Sequence, residues 1–146
     1  EYFAEFPQVK IWQEKIKVEA KTFGYVKNLN GRRRWFLDIV SGQPRADYEI
    51  ERAAINMPIQ SLEADIIKIA MIENFKILEK NDWLGTKAKL LLTIHDELLF
   101  ELRDDILKKA IPLIQKTMEQ IYPLAVPLTT DVKVGKNWGV MEKYDE

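Results

Sequence analysis

The stretch Lys89 to Leu102, Lys-Leu-Leu-Leu-Thr-Ile-His-Asp-Glu-Leu-Leu-Phe-Glu-Leu, constrains the fold more than any other part of the chain. Two apolar runs, Leu90 to Ile94 and Leu98 to Leu102, flank the polar triplet His95-Asp96-Glu97, a pattern that predicts two antiparallel strands joined by a tight turn. Apolar strands on both sides fix the backbone of that turn, so two carboxylates and an imidazole stand at the edge of a dry sheet. Oxygen ligands in such a place suit a hard divalent cation. The triplet by itself supports two readings: part of a metal site that lacks its remaining ligands, or a polar hairpin tip with a satisfied histidine.

At 146 residues, with 47% apolar and 31% charged side chains, the chain is long enough for one domain with its own core. It contains no run of eighteen apolar residues and opens with no basic segment followed by an apolar one, so neither a membrane span nor a signal peptide is predicted. The absence of cysteine excludes a disulfide framework and a thiolate metal site and is compatible with a cytoplasmic location. A formal charge of −1 argues against binding nucleic acid by bulk charge, so any basic surface must be local. The chain opens at Glu1, without methionine, inside a helical pattern, and reads as a fragment.

From Phe6 to Phe23, apolar residues at Val9, Ile11, Trp12, Ile16, Val18 and Ala20 among lysines and glutamates predict an amphipathic helix with Pro7 in its first turn, ended by Gly24. Tyr25 to Leu29, Asn30-Gly31 and Arg32 to Phe36 predict a hairpin on a type I′ turn. The run Arg32, Arg33, Arg34 either grips phosphates through forked guanidinium groups or forms a solvated charged edge. Ser41 to Arg45, with Gly42 and Pro44, reads as a loop.

A long helical region follows near residues 47 to 79, with Pro58 expected as a kink or break between its two apolar stripes. Arg52, Asn56 and Gln60 fall at i, i+4 and i+8 on its polar side. Every correct base pair presents an acceptor in the minor groove, so such a ladder of donors could sense pair geometry without reading sequence; the alternative is an ordinary solvated face. Asn81 to Thr86 links this helix to the central hairpin. A second helix is predicted over 104 to 122, and Leu128 to Val134 as a third strand, turned away at Gly135 to Trp138. The expected fold is α+β: one antiparallel sheet of Leu90 to Ile94, Leu98 to Leu102 and Leu128 to Val134, packed on a single face by long helices, with an N-terminal helix beside it.

Taken in order, Tyr2-Phe3 with Phe6-Pro7, Gly24-Tyr25-Val26, Gly31-Arg32-Arg33-Arg34, Glu51 to Gln60, Ala64-Asp65, His95-Asp96-Glu97, Val126-Pro127-Leu128 and Gly135-Lys136-Asn137-Trp138 resemble the C-terminal end of the family A DNA polymerases, the bacterial DNA polymerase I type. The resemblance implies a template-directed, nucleotide-transferring enzyme of DNA replication and repair. It makes residues 1–23 the end of the fingers and 24–146 the C-terminal part of the palm. It implies that Asp96, with auxiliary help from Glu97, holds magnesium in a two-metal site, and that His95 steadies the primer terminus. Arg52, Asn56 and Gln60 would track the minor groove of primer–template DNA, with Arg32, Arg33 and Arg34 as further DNA contacts.

The same resemblance places the other metal-binding aspartate and the helix that binds the incoming dNTP upstream of Glu1, so the isolated chain is expected to be inactive. With those parts absent, Phe3, Phe6 and Trp12 are expected to be exposed or paired with a second copy. Three departures from the family pattern stand out: Ser61-Leu62-Glu63 in place of Gly-Thr-Ala, Leu37 in place of proline, and Asn28 in place of threonine. Glu63 is expected to turn away from DNA phosphates. Two other readings compete with a polymerase: a stand-alone nucleic-acid-binding module without catalysis, and, with less support, an independent nuclease or hydrolase centred on His95, Asp96 and Glu97.

Overall fold

The computed structural model describes residues 2–36 and 44–144 of the chain, arranged as two compact units, Glu1–Asp65 and Ile66–Glu146. The fold is α+β, with helices and small antiparallel sheets. In the first unit a short helix α1 (Tyr2–Glu5) leads into α2 (Pro7–Phe23). Pro7 opens α2, where a missing N–H costs nothing, and Gly24 closes it in the left-handed conformation at φ 70°, its N–H donating to the Ala20 carbonyl at 2.9 Å. Strands β1 (Tyr25–Lys27) and β2 (Arg33–Trp35) pair antiparallel, and the long helix α3 (Pro44–Lys80) begins in this unit. Ile16 and Ala20 of α2, one turn apart, pack with Val26, Phe36, Ala54 and Met57 into its core. Lys17 and Lys21 add an ion-paired clasp on Glu51, whose carboxyl is held below its ordinary range chiefly by Lys21.

The β1–β2 turn is not type I′. Asn28 and Arg32 flank three residues, the Gly31 N–H donates to the Asn28 carbonyl at 3.0 Å, and only Gly31, at φ 81°, has a positive φ. That is a type I turn followed by a left-handed glycine. The loop expected over Ser41 to Arg45 is partly helix, because α3 starts at Pro44, a residue suited to a first helical turn; residues 41–43, and the departure at Leu37, lie outside the described residues. Pro58 does not break α3, which runs as one helix of 37 residues. Phe3 and Phe6 are exposed as expected, but Trp12 is half-buried against the core.

In the second unit, β3 (Ala88–Ile94) and β4 (Glu97–Leu102) form the expected central hairpin. Ala88 pairs with Leu102 and Leu90 with Phe100, whereas the intervening pair, Lys89 and Glu101, carries a 2.9 Å ion pair. Ala88 joins Leu78, Trp83, Ile106, Ala110 and Ile114 in the core of this unit, with Phe100 and Leu102 packed on it. The base of the hairpin is thereby anchored between the end of α3 and α4 (Leu107–Gln120), which follows a 3₁₀ turn at Asp104–Ile106. A bulge at Leu91 breaks the alternation, leaving Leu91 and Leu92 both exposed.

The single three-stranded sheet does not form. The central hairpin is a two-stranded sheet, and β5 (Lys133–Asn137) pairs instead with β6 (Val140–Lys143) in another. Of the expected strand Leu128 to Val134 only Lys133 and Val134 are extended into a ladder, as the start of β5, because the backbone before them is claimed elsewhere. The Thr130 N–H and hydroxyl both donate to Glu119 at 3.0 Å, and the Thr130 carbonyl accepts from Gln115 at 3.0 Å. The strap is tied to α4 by side chains, and Pro127 has no N–H to offer a ladder.

Candidate catalytic turn and nucleic-acid groove

The tip of the central hairpin is a two-residue turn, His95-Asp96, with Ile94 paired to Glu97 across it. His95 sits at φ 53° and Asp96 keeps a negative φ, the pattern of a type II′ turn whose first position ordinarily takes glycine. A side chain at that φ costs on the order of 1 kcal/mol or more, which the paired strands on either side must absorb. All three residues of the triplet are exposed. The ion pairs of this unit join Lys76 to Glu73, Lys87 and Arg103 to Asp105, Lys89 to Glu101, and Lys136 to Asp104. Among the described residues none engages Asp96 or Glu97. Asp96 and Glu97 supply hard oxygen donors suited to magnesium but only part of a ligand set, and among the described residues no group of three potential ligands comes together.

In the first unit, Arg52, Asn56 and Gln60 are exposed on successive turns of α3 and line an open groove of about 380 Å³ together with Arg34, Glu49 and Ala53. The expected ladder is therefore one surface, and Arg34 of β2 is brought to it. Glu63 is exposed and is not among the side chains that line the groove, although a regular helix places it within about 20° of Arg52 and roughly 16 Å along the axis.

The three arginines divide. Arg32 donates to Asp65 through Nε at 2.9 Å and through Nη2. Asp65 also accepts from Asn28 at 2.8 Å and Asn30 at 3.4 Å, and these donors, the Arg32 guanidinium first, hold its carboxyl down at about 2. Asn28 is buried, and its Oδ1 accepts the N–H groups of Asn30 and Arg32 at 3.0 Å each. The asparagine that departs from the family pattern thus shapes the turn and ties it to α3. Arg33 lies over the Tyr25 ring, 4.7 Å from its centroid, and Arg34 lies 5.2 Å from that of Phe36. Asp65 was visible in the sequence only as part of a motif, since nothing local marks a partner 33 residues away.

The structure is similar to that of the POL domain of Pol1 from M. smegmatis, solved in complex with DNA primer-template and dNTP, with a TM-score of 0.80 and 36% identity over 87% of this chain and 22% of that one. Its fold is that of a portion of such a polymerase domain. The profile of DNA polymerase family A matches residues 1–140, and the chain belongs to that family. It is 44% identical over 137 residues to the thermostable DNA polymerase I of Thermus filiformis and 41% identical to the DNA polymerase I of Lactococcus lactis subsp. lactis. These alignments cover 94% of this chain but 16% and 15% of those proteins, so it spans about a sixth of their length. Among the described residues no helix is long and apolar enough to cross a membrane.

Proposed function

We propose that this chain is the C-terminal palm portion, with the end of the fingers over residues 1–23 and palm over 24–146, of a cytoplasmic, template-directed DNA polymerase that transfers nucleotides from dNTP to a primer 3′-hydroxyl. The observation that carries the reading is the exposed Asp96 and Glu97, without an ion pair among the described residues, on a turn whose strands are anchored at their far end in a core. Such anchoring holds a carboxylate in place without spending its charge on a protein partner. Asp96, aided by Glu97, would hold magnesium jointly with a carboxylate from outside the described residues. Magnesium there would favour ionisation of the primer hydroxyl and offset the charge of the departing pyrophosphate.

His95, at the first position of the turn, presents an imidazole N–H donor toward the primer terminus. Arg52, Asn56 and Gln60 donate to minor-groove acceptors of the primer–template duplex, and Arg34 reaches phosphate from the side of the same groove. Arg33, on the opposite face of β2 from Arg34, stands outside this groove, while Arg32, neutralised by Asp65, contributes less charge and more position.

The test is primer extension by this chain alone, and again with a polypeptide carrying the family's first palm aspartate and nucleotide-binding helix added in trans. No extension is expected alone, and magnesium-dependent extension is expected in the mixture, abolished by Asp96→Asn. Extension by the isolated chain, or a mixture indifferent to Asp96→Asn, would reject the reading. A second reading, a nucleic-acid-binding module without catalysis, is favoured by the missing third ligand among the described residues. It requires duplex binding that Arg52→Ala weakens in a mixture that never extends.

A further inference from the structure

The β1–β2 hairpin has a second face, turned away from its buried side. Its ladder sets Tyr25 opposite Trp35 and Lys27 opposite Arg33, and alternate residues of a strand share a face, so these four side chains stand together. Between them Val26 is buried in the core, and its partner Arg34 lines the groove beside α3. Phe23, the last residue of α2, extends the row. The ring centroids of Phe23 and Tyr25 are 6.1 Å apart, those of Tyr25 and Trp35 4.9 Å, and the Arg33 guanidinium caps Tyr25. Phe23 and Trp35 are 59% and 57% exposed.

Two features of this face work against the fold. Large aromatic rings are left in water, and two cations stand directly opposite each other in a ladder, a destabilising arrangement. Among the described residues no carboxylate pairs with Lys27 or Arg33, the clasps of this unit being used by Lys15, Lys17, Lys21 and Arg32. One kind of ligand relieves both costs: a polyanion that alternates phosphates with flat apolar rings. Duplex DNA keeps the faces of its bases stacked inside, whereas a single strand offers bases and phosphates together.

We propose that this outer face, formed by Phe23, Tyr25, Lys27, Arg33 and Trp35, is a binding site for single-stranded nucleic acid. Its bases stack on the exposed faces of Trp35 and Phe23, and its phosphates lie along Lys27 and Arg33. Stacking of this kind is tolerant of sequence, so the site takes unpaired nucleotides as a class. The site is additional to the duplex groove and stands without it, since none of the groove residues takes part.

The experiment is titration of the full chain with a short oligothymidylate, followed by tryptophan fluorescence and by polarisation of a labelled strand. Binding with quenching is expected. Trp35→Ala should weaken it about 10-fold or more, the worth of one base stack, and Trp35→Phe should recover most of that loss because a phenyl ring still stacks. Lys27→Ala and Arg33→Ala should each lower the slope of log affinity against log salt by about 0.7. Arg52→Ala and Gln60→Ala should leave oligothymidylate binding unchanged. A chain that binds oligothymidylate but not duplex supports this site while removing the duplex reading.

Equal affinity of parent and Trp35→Ala for oligothymidylate overturns the proposal, as does equally tight binding of inorganic polyphosphate, which would mark an ionic patch only. A parent chain that ignores oligothymidylate but sediments as a dimer, disrupted by Trp35→Ala, overturns it in favour of a second copy. Should Trp35→Ala not fold, the exposed variants Phe23→Ala and Lys27→Ala decide the matter, and unchanged affinity in both overturns the proposal.

Discussion

Asp65 illustrates how much one residue of this chain can hold. Its carboxylate accepts from Arg32, Asn28 and Asn30, and these donors bring its pKa from an ordinary 3.8 to about 2. A carboxyl depressed in the folded state favours folding above its unfolded pKa, and that contribution disappears as pH falls through the folded value. The parent should therefore lose stability on acidification between about 3.8 and about 2, the window set by those two values. Asp65→Asn lacks the contribution at every pH, so the gap between variant and parent should be constant near neutrality and close in that window. Denaturant titrations followed by circular dichroism across the acid range measure it; a gap that stays constant down to pH 2 would contradict the assignment. Asn74 is the opposite case. It is fully buried in the second unit, and neither its amide nitrogen nor its oxygen has a partner among the described residues. Leaving such a group unsatisfied costs about 1–3 kcal/mol, so Asn74→Leu, which keeps the branching at Cγ but is bulkier, should raise stability by that amount less the cost of fitting its larger methyl groups. Thermal unfolding would show it as a higher midpoint.

At the scale of elements, the C-terminal hairpin has a contact that only glycine permits. A Cβ on Gly135 would meet the Val140 carbonyl oxygen at 1.9 Å and its carbon at 2.9 Å, both backbone atoms of the facing strand, where the register shifts between Val134 and Asn137. Gly135→Ala must push β5 from β6 at a cost of about 1–3 kcal/mol, the range for overpacking. Because β5–β6 and β3–β4 are separate sheets, the damage should stay local. Hydrogen exchange should quicken at amides of Lys133–Asn137 and remain unchanged at Ala88–Ile94. What the sequence made legible follows the same division between local and distant causes. Helix α2 could be bounded from Pro7 and Gly24, the central hairpin from its two apolar runs, and the Arg52–Asn56–Gln60 surface from helical spacing, because each signal lies within the element itself. The β1–β2 turn departs from the type that Asn30-Gly31 suggests because a buried Asn28 side chain, held by Asp65, decides its type. The first part of the strand expected over Leu128 to Val134 is lost to Glu119 and Gln115, partners that alternation cannot reveal. The triplet at the hairpin tip stands out between its apolar runs, but a histidine at positive φ leaves no trace in composition or periodicity.

Across the whole molecule, the proposed duplex contacts and the proposed catalytic carboxylates fall in different compact units, Glu1–Asp65 and Ile66–Glu146, whose cores share no residue. Binding and chemistry should therefore separate under mutation. In the proposed function Arg52 and Gln60 donate to a duplex, and losing one such bond with its partner left desolvated costs about 1–3 kcal/mol. Arg52→Ala or Gln60→Ala should then weaken duplex affinity by roughly 5- to 150-fold, that cost expressed as a ratio of equilibrium constants. Asp96→Asn removes a negative charge that a phosphate backbone would repel, so it should bind duplex as tightly as the parent or more tightly, while extension in the mixture with the complementary polypeptide falls to background. The exposed position of Asp96 on the turn predicts that the same change leaves the stability within about 0.5 kcal/mol of the parent. Fluorescence polarisation with a labelled primer–template, single-turnover extension and thermal unfolding on the three variants give all the quantities needed. Parallel losses of affinity and extension in Asp96→Asn would show that the turn serves binding, and unchanged affinity in both ladder variants would show that the groove on α3 does not.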